Sequence, residues 1–440
     1  MIEAAFRKLG AERERILRLS KEGGWIVLGQ IATVTGMLVL VRVLTEYLSP
    51  AEYGQLALGL TIAGLVNQVV MGGVTNGIGR YYSISAEKGD LWGYLRASGQ
   101  LLGYATVAVV IIAVVLVFSL WATNYRHWIG LVIAVLVFSI LSGYNSALNG
   151  IQNAARQRAI VALHNGMNAW LKIALAVGAI LWLGSDSTAV VMGYTLSALV
   201  ITASQLFFLN RLMHRQGGSP GSESHEEWAR AMWQFSWPFS VFGFFTWAQQ
   251  ISDRWALETF AATQDVGHYA VVFQLGYAPI GMVTGLMMTL VGPILYQRSG
   301  IANDHARNAS VHRIAWRIAQ VSLAVTAAAF YFTWLLHEWL FRWLVADAFR
   351  DVSHFLPWVV LAGGIFAGGQ MLSLKLMSEI RSQSLLQVKI GTALLGLAAN
   401  VLGAWLFGIE GVVAGLVVFS CIYLLWMIYL AWHLPEGQIG

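Results

Sequence analysis

Long apolar runs decide what this chain can become. The stretch from Leu101 to Trp121 carries no charged residue, and it exceeds the roughly 18 apolar residues that take a helix across a bilayer core about 30 Å thick. Several other runs do the same. Composition agrees: 57% of the 440 residues are hydrophobic and 11% are charged, against about 25% charged in an average soluble domain. The expected fold class is an all-α polytopic membrane protein. A secreted enzyme, a nucleic-acid binder and a cytosolic module are all excluded.

Twelve transmembrane helices are expected, at 24–44, 54–77, 98–121, 127–148, 160–183, 188–210, 231–252, 266–296, 314–337, 355–377, 388–408 and 410–432. The eighth holds Pro279 and Pro293, so a kink or break is expected there. Of the 27 Lys and Arg, 21 fall in the N-terminal segment and the even-numbered loops, and four (Arg126, Arg254, Arg342 and Arg350) in the opposite loops. Basic residues accumulate on the cytoplasmic side, which places both termini there. The expected organisation is a cytoplasmic amphipathic segment (1–23), a six-helix bundle (24–210), a cytoplasmic linker (211–230), a second six-helix bundle (231–432) and a cytoplasmic tail (433–440). Ile2, Phe6, Leu9, Ile16 and Leu17 lie near one helical face of the first segment, which suits a helix lying on the membrane surface. No signal peptide is expected, because the basic start leads into a full-length span without a small-residue cleavage site.

The loops limit the chemistry. The longest polar connection, 211–230, is about 20 residues long, too short to fold as a catalytic domain. No phosphate-binding Gly-Lys-Ser/Thr loop, HExxH or metal-spaced Cys/His cluster occurs, so no cofactor or metal is expected. The lone Cys421 sits in an apolar run and reads as a small packed side chain. The outer segment 337–355, with Trp339, Phe341, Trp343 and Phe349, reads as an interfacial helix with its rings at headgroup depth.

The two halves share a signature. Ala51-Glu52-Tyr53-Gly54-Gln55-Leu56-Ala57 lines up with Gln264-Asp265-Val266-Gly267-His268-Tyr269-Ala270 at an offset of 213 residues. Each copy precedes the second span of its half and follows a basic residue, Arg42 or Arg254. An acid and then a Gly suit a capped helix start beside a tight turn. Repeats of this kind build transporters that open alternately to each side.

These residues resemble a known family. Val41-Arg42-Val43-Leu44, Leu48-Ser49-Pro50-Ala51-Glu52-Tyr53-Gly54, Gly79-Arg80-Tyr81, and Asn400 with Phe407-Gly408-Ile409-Glu410-Gly411-Val412-Val413-Ala414-Gly415 resemble Wzx-type polysaccharide flippases. That family belongs to the superfamily that also holds MATE multidrug exporters and lipid II flippases. The resemblance implies a MATE-like fold of two pseudo-symmetric six-helix bundles. It also implies export of an undecaprenyl-pyrophosphate-linked oligosaccharide from the cytoplasmic to the outer leaflet of a bacterial inner membrane. Polysaccharide polymerase or export proteins would be partners, and nucleic acid would not.

Ionisable residues within spans are the informative ones, since each costs about 2.5–3.5 kcal/mol at a helix centre on insertion scales. Lys172 lies midway along the fifth span, and His164, Asn168 and Lys172 follow at i, i+4 and i+8, which puts them on one face. They read as a polar stripe into a cavity for an anion, or as a lysine that snorkels or pairs with a buried acid. Arg42 and Arg254 hold comparable places in the two halves. They read as guanidiniums flanking a diphosphate, or as interfacial anchors with Arg254 partnered by Asp253 or Glu258. Lys375 is a further cavity candidate that also reads as a snorkelling side chain. Asp253 and His164 are the candidates for ion coupling. Amides at Asn67, Gln68, Asn145, Asn149, Gln249 and Gln250 suit sugar hydroxyls and equally suit helix–helix hydrogen bonds. The pairs Gly73/Gly77, Gly281/Gly285, Gly364/Gly368 and Gly411/Gly415 read as packing signals.

Three functions compete at this point. Cations inside the spans, with the nearest acids Asp253 and Glu258 at an outer edge, favour a flippase for an anionic lipid-linked saccharide. An ion-coupled MATE-type drug antiporter would need a deep carboxylate. A membrane polymerase or ligase acting on lipid-linked glycan would need a larger outer segment.

Overall fold

The computed structural model describes residues 2–216, 225–299, 305–378 and 382–433, and none of them lies in a strand. The first half comprises α1 (Ile2–Tyr47), α2 (Pro50–Leu65), a π-helical turn (Val66–Val70), α3 (Met71–Lys88), α4 (Leu91–Ala122), α5 (Ile129–Ala154), α6 (Arg158–Leu183) and α7 (Ser187–Gln216). The second comprises α8 (His225–Phe260), α9 (Thr263–Ser299), α10 (His305–Leu344), a 3₁₀ stretch (Asp347–Phe355), α11 (Leu356–Ser378) and α12 (Ser382–His433). Helices are the outcome because lipid offers no partner for backbone N–H and C=O groups, which must then bond within their own segment.

Ten stretches of described residues are long and apolar enough to cross a bilayer, so the protein is a multi-pass membrane protein. The last of them, Ile390–Trp432, is 43 residues long and holds both the eleventh and twelfth expected spans. Gly408 separates them at φ 58° and ψ −131°, a conformation that a side chain would strain. Its two arms run back along each other, since a Cβ on Gly403 would strike the Gly411 carbonyl and one on Gly415 would come 3.2 Å from the Ala399 oxygen. The seventh expected span lies in α8, whose serines, glutamines and tryptophans dilute its hydropathy.

Some elements run on further than expected. Of the kink or break expected in α9, a break does not occur: the helix is continuous from Thr263 to Ser299, because a proline removes one backbone hydrogen bond without ending a helix. No break separates the N-terminal segment from the first span either: the backbone is one helix from Ile2 to Tyr47, while the side chains of 1–22 lie outside the described residues. Within the expected linker, α7 reaches Gln216 and α8 starts at His225; residues 217–224 and the tail from 434 lie outside the described residues. The 337–355 segment splits its rings. Trp339 and Trp343 are exposed, whereas Phe341 and Phe349 are fully buried and cannot sit among headgroups.

Helix contacts divide the chain into two compact units. One comprises Met1–Met37, Ile62–Gly184 and Thr188–Phe244; the other comprises Leu38–Thr61, Ser185–Ser187 and Phe245–Gly440. In the first, Val74, Ile78, Tyr94, Leu101, Val132 and Leu136 form the core of α3, α4 and α5, with Trp228 and Met232 of α8 packed in. In the second, Leu295, Val311, Ala319, Met371, Leu374 and Tyr423 join α9 to α12.

Small residues set the closest approaches. In the first unit, a Cβ on Gly73 would overlap Ser240 and one on Gly77 would overlap Ser236, so α3 and α8 meet at backbone distance. In the second, Gly364 and Gly368 take Thr326 and Leu323 of α10. The two repeat glycines meet each other: a Cβ on Gly54 would overlap the Thr263 carbonyl and lie 3.1 Å from Gly267 N, and one on Gly267 would overlap the Pro50 carbonyl. Gly281 and Gly285 break the pattern, because a Cβ at either would meet nothing within 4 Å. Their spacing is not used for packing among the described residues.

These contacts predict that Gly54→Val lowers stability by about 1–3 kcal/mol through overpacking. Gly281→Ala is expected to stay within about 0.5 kcal/mol of the parent protein. Thermal unfolding of both purified variants in mild detergent checks this; equal unfolding temperatures would contradict it.

Candidate functional site

The first unit contains a polar cavity of about 150 Å³ between α5, α6 and α7. Ser142, Asn145, Ser146 and Asn149 line it from α5, His164, Asn165, Asn168 and Lys172 from α6, and Gln205 from α7, with Phe138, Ala198 and Ile201 as its apolar part. The local cause is helical spacing. Positions 142, 145, 146 and 149 fall on one face of α5, and 164, 165, 168 and 172 on one face of α6, as i, i+3, i+4 steps require. The stripe expected from the sequence therefore faces a matching stripe on the neighbouring helix.

Hydrogen bonds hold the wall in place. Thr202 Oγ1 donates to Asn145 Oδ1 at 2.7 Å, and Asn145 Nδ2 donates to the Ala198 carbonyl at 3.2 Å. Asn149 Nδ2 donates to Asn165 Oδ1 at 2.9 Å. Ser197 Oγ donates to Asn168 Oδ1 at 3.3 Å, and His164 Nε2 lies 3.0 Å from Ser204 Oγ. His164 and Gln205 are almost wholly buried, at 1% and 2% exposure. Even so, Gln205 Oε1 has no hydrogen-bond partner.

Lys172 is the cation of this wall, and no carboxylate lines it. Its Nζ lies 5.3 Å from the centre of the Phe138 ring and 5.4 Å from that of Tyr194. Aromatic faces attract a cation through their quadrupole, at about 0.5–2 kcal/mol, without neutralising it. Of the two readings of Lys172, pairing with a buried acid is not what the described residues show.

The other expected site residues lie in the second unit. Arg42 forms an i,i+4 ion pair with Glu46 at 3.0 Å, and Arg254 lies over the Phe273 ring at 5.0 Å. Neither lines the cavity that holds Lys172. Lys375 is buried at 4% exposure and donates from Nζ to the Ala431 carbonyl at 2.8 Å. That contact ties α11 to the end of α12.

Asp253 lies within a longer helix than expected. The expected span ended at 252, but α8 continues to Phe260, so the acid is inside the helix and only 4% exposed. Its Oδ1 accepts the Arg254 backbone N–H and its Oδ2 accepts the Tyr269 hydroxyl, both at 2.7 Å. Beside it, Asn400 Nδ2 donates to Ser252 Oγ at 2.8 Å. The repeat acid Glu52 is also repurposed: it accepts the backbone N–H of Ser187 at 2.8 Å, capping α7. Ser49 Oγ takes the Glu52 N–H at the start of its own helix.

Asn165, Gln205 and the two rings around Lys172 escaped sequence reasoning. Gln205 carried a signal, an amide inside an apolar span. Phe138 and Tyr194 carried none, since aromatic residues are common throughout these helices.

Tyr269→Phe would leave Asp253 with one partner fewer in a buried setting, a loss of about 1–3 kcal/mol. Asp253→Asn keeps one oxygen for the Tyr269 hydroxyl and gives up the acceptor of the Arg254 N–H, but it also removes a buried charge and should cost less. Chemical denaturation in detergent ranks the two; the reverse order would refute this account of the cluster.

Comparisons with known proteins fit this architecture. The family described as "Polysaccharide biosynthesis protein" matches residues 19–298. A solved structure of the lipid II flippase MurJ, in an inward closed conformation, superposes with a TM-score of 0.70 at 9% identity, covering 93% of this chain and 86% of that one. An inward-facing multidrug resistance MATE family transporter of the MOP superfamily gives 0.55 at 15% identity, covering 94% and 98%. A Vibrio cholerae MATE transporter, VcmN, gives 0.57 at 16% identity, covering 94% and 95%. At these identities the likeness is one of fold. No curated protein sequence matches the chain.

Proposed function

The chain belongs to the polysaccharide biosynthesis protein family, and from that premise we propose that it is a flippase for an anionic polyprenyl-pyrophosphate-linked oligosaccharide. The substrate would move from the cytoplasmic to the outer leaflet of a bacterial inner membrane by alternating access of residues 1–210 and 231–440. The observation that carries this reading is Lys172, a cation inside a span that faces a cavity walled by amides and hydroxyls with no acid among them. An ammonium placed there meets an insertion cost that an arriving anion offsets. The amides supply donors and acceptors for sugar hydroxyls, while a polyprenyl tail stays in the lipid. Partners would include the enzymes that polymerise or export the same glycan.

The second reading is an ion-coupled antiporter, and the specific observation behind it is Asp253, a carboxylate buried within α8. It sits in the other compact unit from the cavity. A flippase that uses a cation gradient and a drug antiporter would both find a use for it. The anion-accepting cavity distinguishes them, since a cationic drug finds no carboxylate there.

Translocation of a fluorescent polyprenyl-diphosphate oligosaccharide in proteoliposomes tests the proposal. Lys172→Ala should insert and fold, because it removes an intramembrane charge, but its transport should fall about tenfold or more. Normal transport by this variant would remove the central residue of the cavity. Cationic-dye efflux without lipid transport would favour the antiporter. The proposed orientation has its own check: fluorescent-protein fusions at either terminus should glow in bacterial cells, whereas alkaline phosphatase fused at the same points should be inactive.

A further inference from the structure

The cavity of the first unit has a composition that narrows the substrate, taking the flippase reading as given. Its volume of about 150 Å³ lies below the roughly 300–1,000 Å³ of sites for drug-sized ligands. That scale suits one hydroxylated ring rather than a drug-sized ligand. Three needs are built into its wall, one of them His164 Nδ1, a buried ring nitrogen without a partner. Lys172 presents an ammonium that no ion pair or hydrogen bond engages among the described residues, framed by the Phe138 and Tyr194 rings. Gln205 presents Oε1, an acceptor without a partner on a side chain that is 2% exposed.

A buried acceptor left unmade costs about 1–3 kcal/mol, so the ligand that completes this cavity brings a hydroxyl donor to Gln205. A lone ammonium between two rings balances one negative charge. A phosphate monoester carries about −1.5 to −2 at neutral pH, and a diphosphate at least as much, so either would leave charge unpaired in a low-dielectric site. A carboxylate leaves none. We propose that this cavity binds an acidic sugar, a hexuronate-type residue of the glycan, with its carboxylate on Lys172 and a hydroxyl on Gln205, and that the diphosphate is held elsewhere. Lys172 and Gln205 are then the residues that select acidic over neutral headgroups.

Saturation-transfer NMR on the purified full-length protein in lipid nanodiscs tests this with three probes: glucuronate, glucose and inorganic pyrophosphate. Glucuronate should bind about tenfold more tightly than glucose, and pyrophosphate at equal concentration should not displace it. Lys172→Gln and Gln205→Leu should each weaken glucuronate, while Lys172→Arg, which keeps the charge, should retain it. Displacement by pyrophosphate, equal binding of glucose, or glucuronate binding unaffected by Lys172→Gln would overturn the proposal. The binding test needs no transport, so the two readings fail separately. A protein that moves lipid-linked glycan but ignores glucuronate is a flippase without this specificity. One that binds glucuronate through Lys172 but moves no lipid-linked glycan keeps the acidic-sugar site and loses the flippase reading.

Discussion

A bilayer core offers no hydrogen-bond partner, and every feature of this protein follows from how the chain supplies its own. The backbone does so by becoming helical throughout its spans. Once the helices are complete, lipid tails are as apolar as leucine and burial alone does not draw helices together, so association depends on close contact. That is why glycine and serine mark the interfaces: Gly73 and Gly77 admit Ser240 and Ser236, and Gly364 admits Thr326. The repeat glycines Gly54 and Gly267 carry this furthest, each seated against the backbone of the other's turn.

The same rule governs side chains. Polar groups on α5, α6 and α7 find one another, so that Asn145, Thr202, Asn149 and Asn165 form a bonded wall inside the membrane. Such bonds are worth about 0.6–2 kcal/mol each, a modest return that makes their concentration in one place informative. Groups left out of the network stand apart clearly. Lys172 has only ring faces beside it, and Gln205 Oε1 has nothing. His164 Nδ1, in the same wall, also lacks a partner.

The second unit handles charge differently. Arg42 meets Glu46, and Lys375 donates to the Ala431 carbonyl. Asp253 takes a backbone N–H and the Tyr269 hydroxyl. Each of these charges has a local partner, and for the buried Lys375 and Asp253 that is what burial requires. Three of the residues that the sequence offered as cavity candidates thus hold local structure, with Arg254 stacked on Phe273. His164, Asn168 and Lys172 were brought together around one space.

Helical class, multi-pass topology and the shared face of 164, 168 and 172 were legible in the sequence, because hydropathy and a period of 3.6 residues are local properties. The repeat was legible too, as a match between Gly54 and Gly267. That those two glycines touch was not, since contact between residues 213 apart depends on how helices are arranged. Gly281 and Gly285 show the converse, a packing motif with the right spacing at which an added Cβ would meet nothing within 4 Å among the described residues. That Asp253 is buried was not legible, because aromatic and amide residues blurred where α8 ends. That Lys172 has no ion pair among the described residues was decided by tertiary structure alone: a lysine and an arginine look alike in sequence, and only their surroundings determine whether an acceptor lies within reach.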